Sequence, residues 1–264
     1  MELWDPATIA QITAARKQAR ALGELTRRFL PATVESGNRH GDWPVTGYAM
    51  IARASGTLES VMSLFPRRRN ADAAVLARAL YEEVVTFAWV AIDPEENARA
   101  WVRWDRRQRL KADNDVRSVG AEPLLYEDTR EDFKRQLAAG DAMPDSLARR
   151  AEHADQHWAQ QLDAIEPDPA SPRSFRGMYR YVYRAQSQFA HAAPHSIESF
   201  VHNSPQPGHQ DVILSEGDPS TPMAFTLSPA LYALALQVAE PTLSLDGITP
   251  ALETIFTRYP HEQG

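Results

Sequence analysis

Residues 74–92 read Ala-Val-Leu-Ala-Arg-Ala-Leu-Tyr-Glu-Glu-Val-Val-Thr-Phe-Ala-Trp-Val-Ala-Ile, nineteen residues of which only Arg78, Glu82, Glu83 and Thr86 are polar. Apolar side chains fall nearly all the way round a 3.6-residue period, which predicts a helix over about 71–92 with no solvent face, the central buried helix of a bundle. Pro66 and the basic turn at 67–70 close a helix upstream at about 45–65. Downstream, Asp93-Pro94-Glu95-Glu96 supplies an N-cap, a first-turn proline and two first-turn acids, and so starts a helix at about 94–119. Working outward, Ile9, Ile12, Ala15, Ala19, Leu22, Leu25 and Phe29 mark a helix over about 7–30. Further helices are predicted at about 128–139, 144–165, 173–191, 228–239 and 247–258, with a helical turn across 195–202. Two strand-like pieces, Val212–Leu214 and Met223–Thr226, flank a Gly/Asp/Pro/Ser cluster and read as a hairpin. The expectation is one mainly α domain over 1–264, a multi-helix bundle with a small β-hairpin near residues 210–227. The proline-rich EPDPASP at 166–172 reads as a long loop within it.

The chain has 264 residues, 43% apolar and 24% charged, the profile of a globular protein rather than a collagenous or disordered one. Lys plus Arg total 28 against 35 for Asp plus Glu, a net charge of −7, so long-range charge does not draw the whole surface to nucleic acid or anionic lipid. Recognition of either would need a local basic strip. There is no cysteine, which removes disulfides, thiolate nucleophiles and Cys-ligated metals and makes the cytoplasm the simplest expectation. The opening MELWDPATIAQ lacks a basic segment followed by an apolar one, and no run of about 18 apolar residues suggests a membrane span. GxSxG, GxxxxGK[ST] and GxGxxG are absent, so α/β-hydrolase, P-loop and Rossmann chemistries have no support.

The chemical signals are polar residues on stripes that should be apolar. Arg78 and Glu82 are four apart on the central helix and can pair, either as a core ion pair that fixes register or as part of a polar cavity. Asp105 and Arg109 repeat the spacing on the next helix, following Trp101 and Val102 along what reads as its inner stripe. The remaining Arg99, Arg103, Arg106, Arg107, Lys111 and Arg117 make either a solvated face or a phosphate track. On the helix near 173–191, Arg180, Arg184, Ser187 and His191 fall within about 60° of one another. Arginine grips phosphate through a planar fork and histidine moves protons near neutrality, the pair of functions that acid–base cleavage of a phosphodiester needs. His153 and His157 have the spacing of two zinc ligands, but the HExxH glutamate is missing and no third ligand is identifiable, so no metal or other cofactor is expected.

Two segments, ARALYEEVVTFAWVAIDPEENARAWVRWDRRQRLK (77–111) and YRYVYRAQSQFAHAAPHSIESFV (179–201), resemble an uncharacterised bacterial all-α family of unknown function, and the likeness extends its architecture over about 45–230. Such families are similar to HEPN proteins, helical bundles that include metal-independent RNases of toxin and defence systems. In those RNases an Arg and a His, separated by four to six residues near a helix end, act in a dimer. The resemblance implies Arg184 and His191 as the catalytic pair with Ser187 beside them, Arg180 as a substrate contact, RNA as substrate and a homodimer as the working form. Ala185 stands where that family carries a polar residue after the arginine. The alternative is a non-enzymatic bundle in which Arg78, Glu82, Asp105, Arg109 and His191 line a polar cavity for a small anionic ligand; a third is a purely structural or interaction protein. Neither involves a membrane.

Overall fold

The computed structural model describes residues 5–30, 43–67, 69–159, 174–184, 201–203, 210–212 and 222–260, and these are mainly helical. Helix α1, Pro6–Phe29, begins where Asp5 accepts hydrogen bonds from the Thr8 amide at 2.9 Å and the Thr8 hydroxyl at 2.8 Å, with Pro6 in the first turn. Ile12, Ala15, Ala19, Leu22 and Leu25 form its buried stripe, as their three- and four-residue spacing predicts. Helix α2, Val45–Leu64, ends in a 3₁₀ turn at Phe65–Arg67. Its Gly47 is required by close approach: a Cβ there would lie 2.7 Å from the Trp43 ring and 2.9 Å from Leu243.

Helix α3, Asn70–Val90, is the central helix that its sequence predicts, with Ala73, Ala77, Leu80, Tyr81, Val84, Val85, Phe87 and Ala88 each at most 1% exposed. It packs against α2, against α6 (Leu147–Trp158) and against α8 (Pro222–Thr242). Asp93 caps α4, Pro94–Ser118, through the Glu96 amide, and the Asn97 amide side chain reaches back to the Trp89 carbonyl at 2.9 Å. Helix α5, Glu127–Leu137, has no buried residue and pairs with the far part of α4 as a two-helix arm. Helix α7, Phe175–Met178, runs into a π-helical segment, Tyr179–Arg184. Helix α9, Ile248–Arg258, closes the described chain; Gly247 precedes it at φ +89°, and the Glu240 carboxylate accepts the amides of Gly247, Ile248 and Thr249.

Three expectations change. Met223–Thr226 is not a strand but the first turn of α8, so the hairpin expected near 210–227 does not form; the ladder in the described backbone instead pairs Val201–Asn203 with Gln210–Val212. The reason is burial: Ala224 and Phe225 join Leu231, Tyr232, Leu236 and Val238 in the core, and this outweighs the local turn signal and Pro229. The residues Val201 and His202, expected to end a helical turn, belong to that ladder. Finally, the inner stripe of α4 is not Trp101, Val102, Asp105 and Arg109 but Ala100, Arg103, Leu110 and Asp113. Helix α8, with mean hydropathy 1.3 over its best window, is long and apolar enough to cross a membrane, yet 67% of that window is buried inside the bundle. Residues 144–146 are described and precede α6 without being helical, whereas 160–165, 173, 185–191, 195–200 and 213–214 of the expected elements lie outside the described residues.

Candidate functional site

The site is built on three elements that side-chain bonds lock together. Buried Trp158 of α6 donates to the Ala88 carbonyl of α3 at 2.9 Å. Tyr81 of α3 donates to the Phe175 carbonyl at 2.7 Å, and burial raises its hydroxyl well above the usual tyrosine range. Asp155 of α6 accepts the consecutive amides of Phe175 at 2.8 Å and Arg176 at 2.9 Å, while Ser174 caps the Gly177 amide at 2.8 Å. Burial raises the Asp155 carboxyl above its ordinary value, and those two amide bonds work against the rise. The start of α7 is therefore held by two side chains at once, and with it the direction in which Arg176 projects.

Between α6 and α7 lies an open cleft of 240 Å³ lined by Ala148, Arg149, Glu152, Arg176, Tyr179 and Arg184. Three arginines and one glutamate thus line it, in a protein whose net charge is −7. Arg176 reaches Glu152 at 3.7 Å with both side chains about half exposed, a contact too long and too wet to hold the arginine back from an incoming anion. Tyr179 belongs to a stack: its ring lies 5.1 Å from that of Tyr183 at an interplanar angle of 16°, and Tyr81 leans on both at 6.2 and 6.0 Å. The Arg78 guanidinium lies 4.5 Å from the Tyr183 ring centroid and donates to the Tyr183 hydroxyl at 3.0 Å.

Most residues singled out in the sequence fall among the described residues. Arg78 and Glu82 do pair, at 3.4 Å, with Arg78 mostly buried beneath Tyr183 and Glu82 half exposed. Asp105 and Arg109 pair at 2.8 Å on the surface, with 47% and 61% of their side chains exposed, so they do not line an interior cavity. Arg184 is exposed at the cleft. The Arg180 backbone lies in the π-helical segment, whereas Ser187 and His191 lie outside the described residues. His153 and His157 are exposed, and no group of three or more His, Asp or Glu suited to a metal occurs among the described residues.

Sequence reasoning missed Arg149, Arg176 and Tyr179 because the cleft joins two helices whose approach no spacing rule reveals. It also missed Arg150, only 7% exposed, whose Nη1 donates to the Thr86 hydroxyl at 2.6 Å and meets the Met143 sulfur at 3.7 Å while its Nε has no partner among the described residues. A further omission is Asp113, fully buried, which accepts the Leu124 and Leu125 amides at 2.9 and 3.0 Å, Arg117 at 2.7 Å and Arg130 at 2.5 Å. Desolvation pulls its carboxyl upward, but those amide and guanidinium bonds prevail and hold it below the ordinary value.

Residues 46–209, more than half of the chain and including α2 to α7, match the model of a family described as "Family of unknown function (DUF5677)". The chain belongs to that family. No curated protein and no solved structure matches it. The DUF5677 region covers the central helix, the arm, the arginine-lined cleft and the π-helical segment, whereas α1, α8 and α9 lie outside it: α1 packs on α2, α8 on α2 and α3, and α9 on α1 and α8.

Proposed function

We propose that this protein recognises phosphate groups of RNA in the cleft between α6 and α7. The observation that carries the reading is the cleft itself: Arg149 of α6, Arg176 of α7 and Arg184 of the π-helical segment line it with one carboxylate, and the backbone at the start of α7 is tied down by Asp155. Exposed guanidinium groups held at fixed spacing suit phosphodiester oxygens, which accept two parallel hydrogen bonds from one arginine. The same chemistry would admit a small phosphate-bearing molecule, so inorganic phosphate is the control that separates the two sources.

A fluorescence-anisotropy titration with a short labelled single-stranded RNA tests the reading. Binding at low salt that weakens about tenfold in Arg184→Ala is the expected result, since a lost charged hydrogen bond is worth about 1.5 kcal/mol. Glu152→Gln should tighten binding a few-fold by releasing Arg176. An Arg184→Ala protein that binds like the wild type overturns the assignment, and displacement by inorganic phosphate with no RNA binding transfers the site to a small ligand.

A catalytic form of the reading is favoured by one observation: Arg184, to which the HEPN resemblance gives the phosphate-gripping role, is among the cleft arginines. In that form Arg184 holds the scissile phosphate, Ser187 and Arg180 orient the substrate, and the 2′-hydroxyl attacks the adjacent phosphorus without a metal as the P–O5′ bond breaks, leaving a 2′,3′-cyclic phosphate and a 5′-hydroxyl, with His191 as the general acid or base in the transfer of the 2′-hydroxyl proton to the departing 5′-oxygen. Cleavage of RNA in EDTA by the wild type and none by His191→Ala is the expected outcome; equal cleavage by both contradicts it.

A further inference from the structure

Resting on that reading, we infer that the cleft binds a whole nucleotide unit, with the base stacked on Tyr179 and its phosphate held by Arg149, Arg176 and Arg184. The π-helical segment sets Tyr179 and Tyr183 in a stack of planar groups. The Arg78 guanidinium lies 4.5 Å from the Tyr183 ring centroid, and Tyr179 lies almost parallel to Tyr183, 5.1 Å away. Tyr81, buried and anchored to the Phe175 carbonyl, wedges against both rings at tilted angles and keeps them from turning. Tyr179 of this stack is partly buried and lines the cleft beside the three arginines. A planar ring entering the cleft continues the stack, and a phosphate joined to that ring by one sugar falls among the guanidinium groups.

The position of the aromatic explains why the site takes a nucleotide rather than any anion. Inorganic phosphate engages only the arginines, whereas a nucleotide adds contact with a ring already fixed by its neighbours, so little side-chain freedom is lost on stacking. Every base has a π face, so stacking on Tyr179 favours nucleotides over other phosphates without selecting one base. A π-helical turn is a rare conformation that recurs at functional positions, and here it puts Tyr179, Tyr183 and Arg184 within one turn.

The test is competition against the labelled RNA, with adenosine 5′-monophosphate, ribose 5-phosphate and inorganic phosphate as the three competitors of the full-length protein. Stacking of one base predicts that the nucleotide competes about tenfold better than ribose 5-phosphate, which in turn competes like inorganic phosphate. In Tyr179→Leu this preference should fall to about unity, and Tyr179→Phe should restore it, because the ring and not the hydroxyl makes the contact. Equal competition by the nucleotide and ribose 5-phosphate overturns the stacking while leaving phosphate recognition intact. Absence of RNA binding removes both the reading and this inference, and a preference that survives in Tyr179→Leu places the base elsewhere.

Discussion

At the scale of single residues, the two most informative groups are charges taken out of water on opposite terms. Asp113 has all its lone pairs engaged by two amides and two guanidinium groups, so ionisation is favoured in the fold and its pKa is lowered. A carboxylate with a depressed folded pKa contributes stability that is complete above its unfolded pKa of about 4 and is lost as pH falls through the folded value. Acid titration should therefore release the arm before the core: hydrogen exchange across 113–130 should accelerate below about pH 4 in the wild type and be fast already at neutral pH in Asp113→Ala. Slow exchange there in the variant would show that packing, not Asp113, closes the arm. Arg150 is the reverse case. Burial works against its charge, and among the described residues Thr86 is its one hydroxyl partner and its Nε has none. Replacing such a group by an apolar residue of similar length relieves the desolvation, so Arg150→Met should raise stability by about 1 kcal/mol in urea unfolding. A loss of that size would instead reveal a counter-charge that compensates it.

At the scale of elements, burial on one helix decides the position of the next. The cap at Asp93, the proline at 94 and the all-round apolar run of α3 were legible in the sequence because each is a local signal with a local cause. The facing of α4 was not, because its buried stripe holds Arg103 and Asp113 while the Trp104 ring nitrogen donates to Asp145 at 2.7 Å near the surface; a stripe chosen by apolarity alone lands one residue away. Likewise Met223–Thr226 alternates like a strand but is drawn into α8 by contacts from α1, α2 and α3, which lie far away in sequence. Of the site, Arg184 and the Arg78–Glu82 pair were legible from spacing, whereas Arg149, Arg176 and Tyr179 enter through the α6–α7 contact. That contact has its own test: Asp155→Ala leaves the Phe175 and Arg176 amides without their acceptor and should cost about 2 kcal/mol of stability together with a loss of RNA affinity. Unchanged affinity would mean that α7 finds its place without the clasp. Gly47→Ala, which forces a methyl group into Trp43 and Leu243, should cost about 2 kcal/mol and leave the cleft's affinity alone.

At the scale of the whole molecule, an acidic protein carries a small cationic cleft, and this contrast is what the functional account turns on. With a net charge of −7, long-range attraction cannot hold RNA, so binding must come from short-range contacts to the few phosphates that reach Arg149, Arg176 and Arg184. The number of phosphates engaged is directly measurable, because each one neutralised releases counterions and adds about 0.7 to the slope of log affinity against log salt for a single strand. The decisive measurement is that slope for short single-stranded RNA, with the wild type beside Arg184→Ala. The account predicts a slope of about −2 in the wild type, from three contacts, and one shallower by about 0.7 in the variant. The same slope in both proteins, or RNA binding that does not respond to salt, would contradict it.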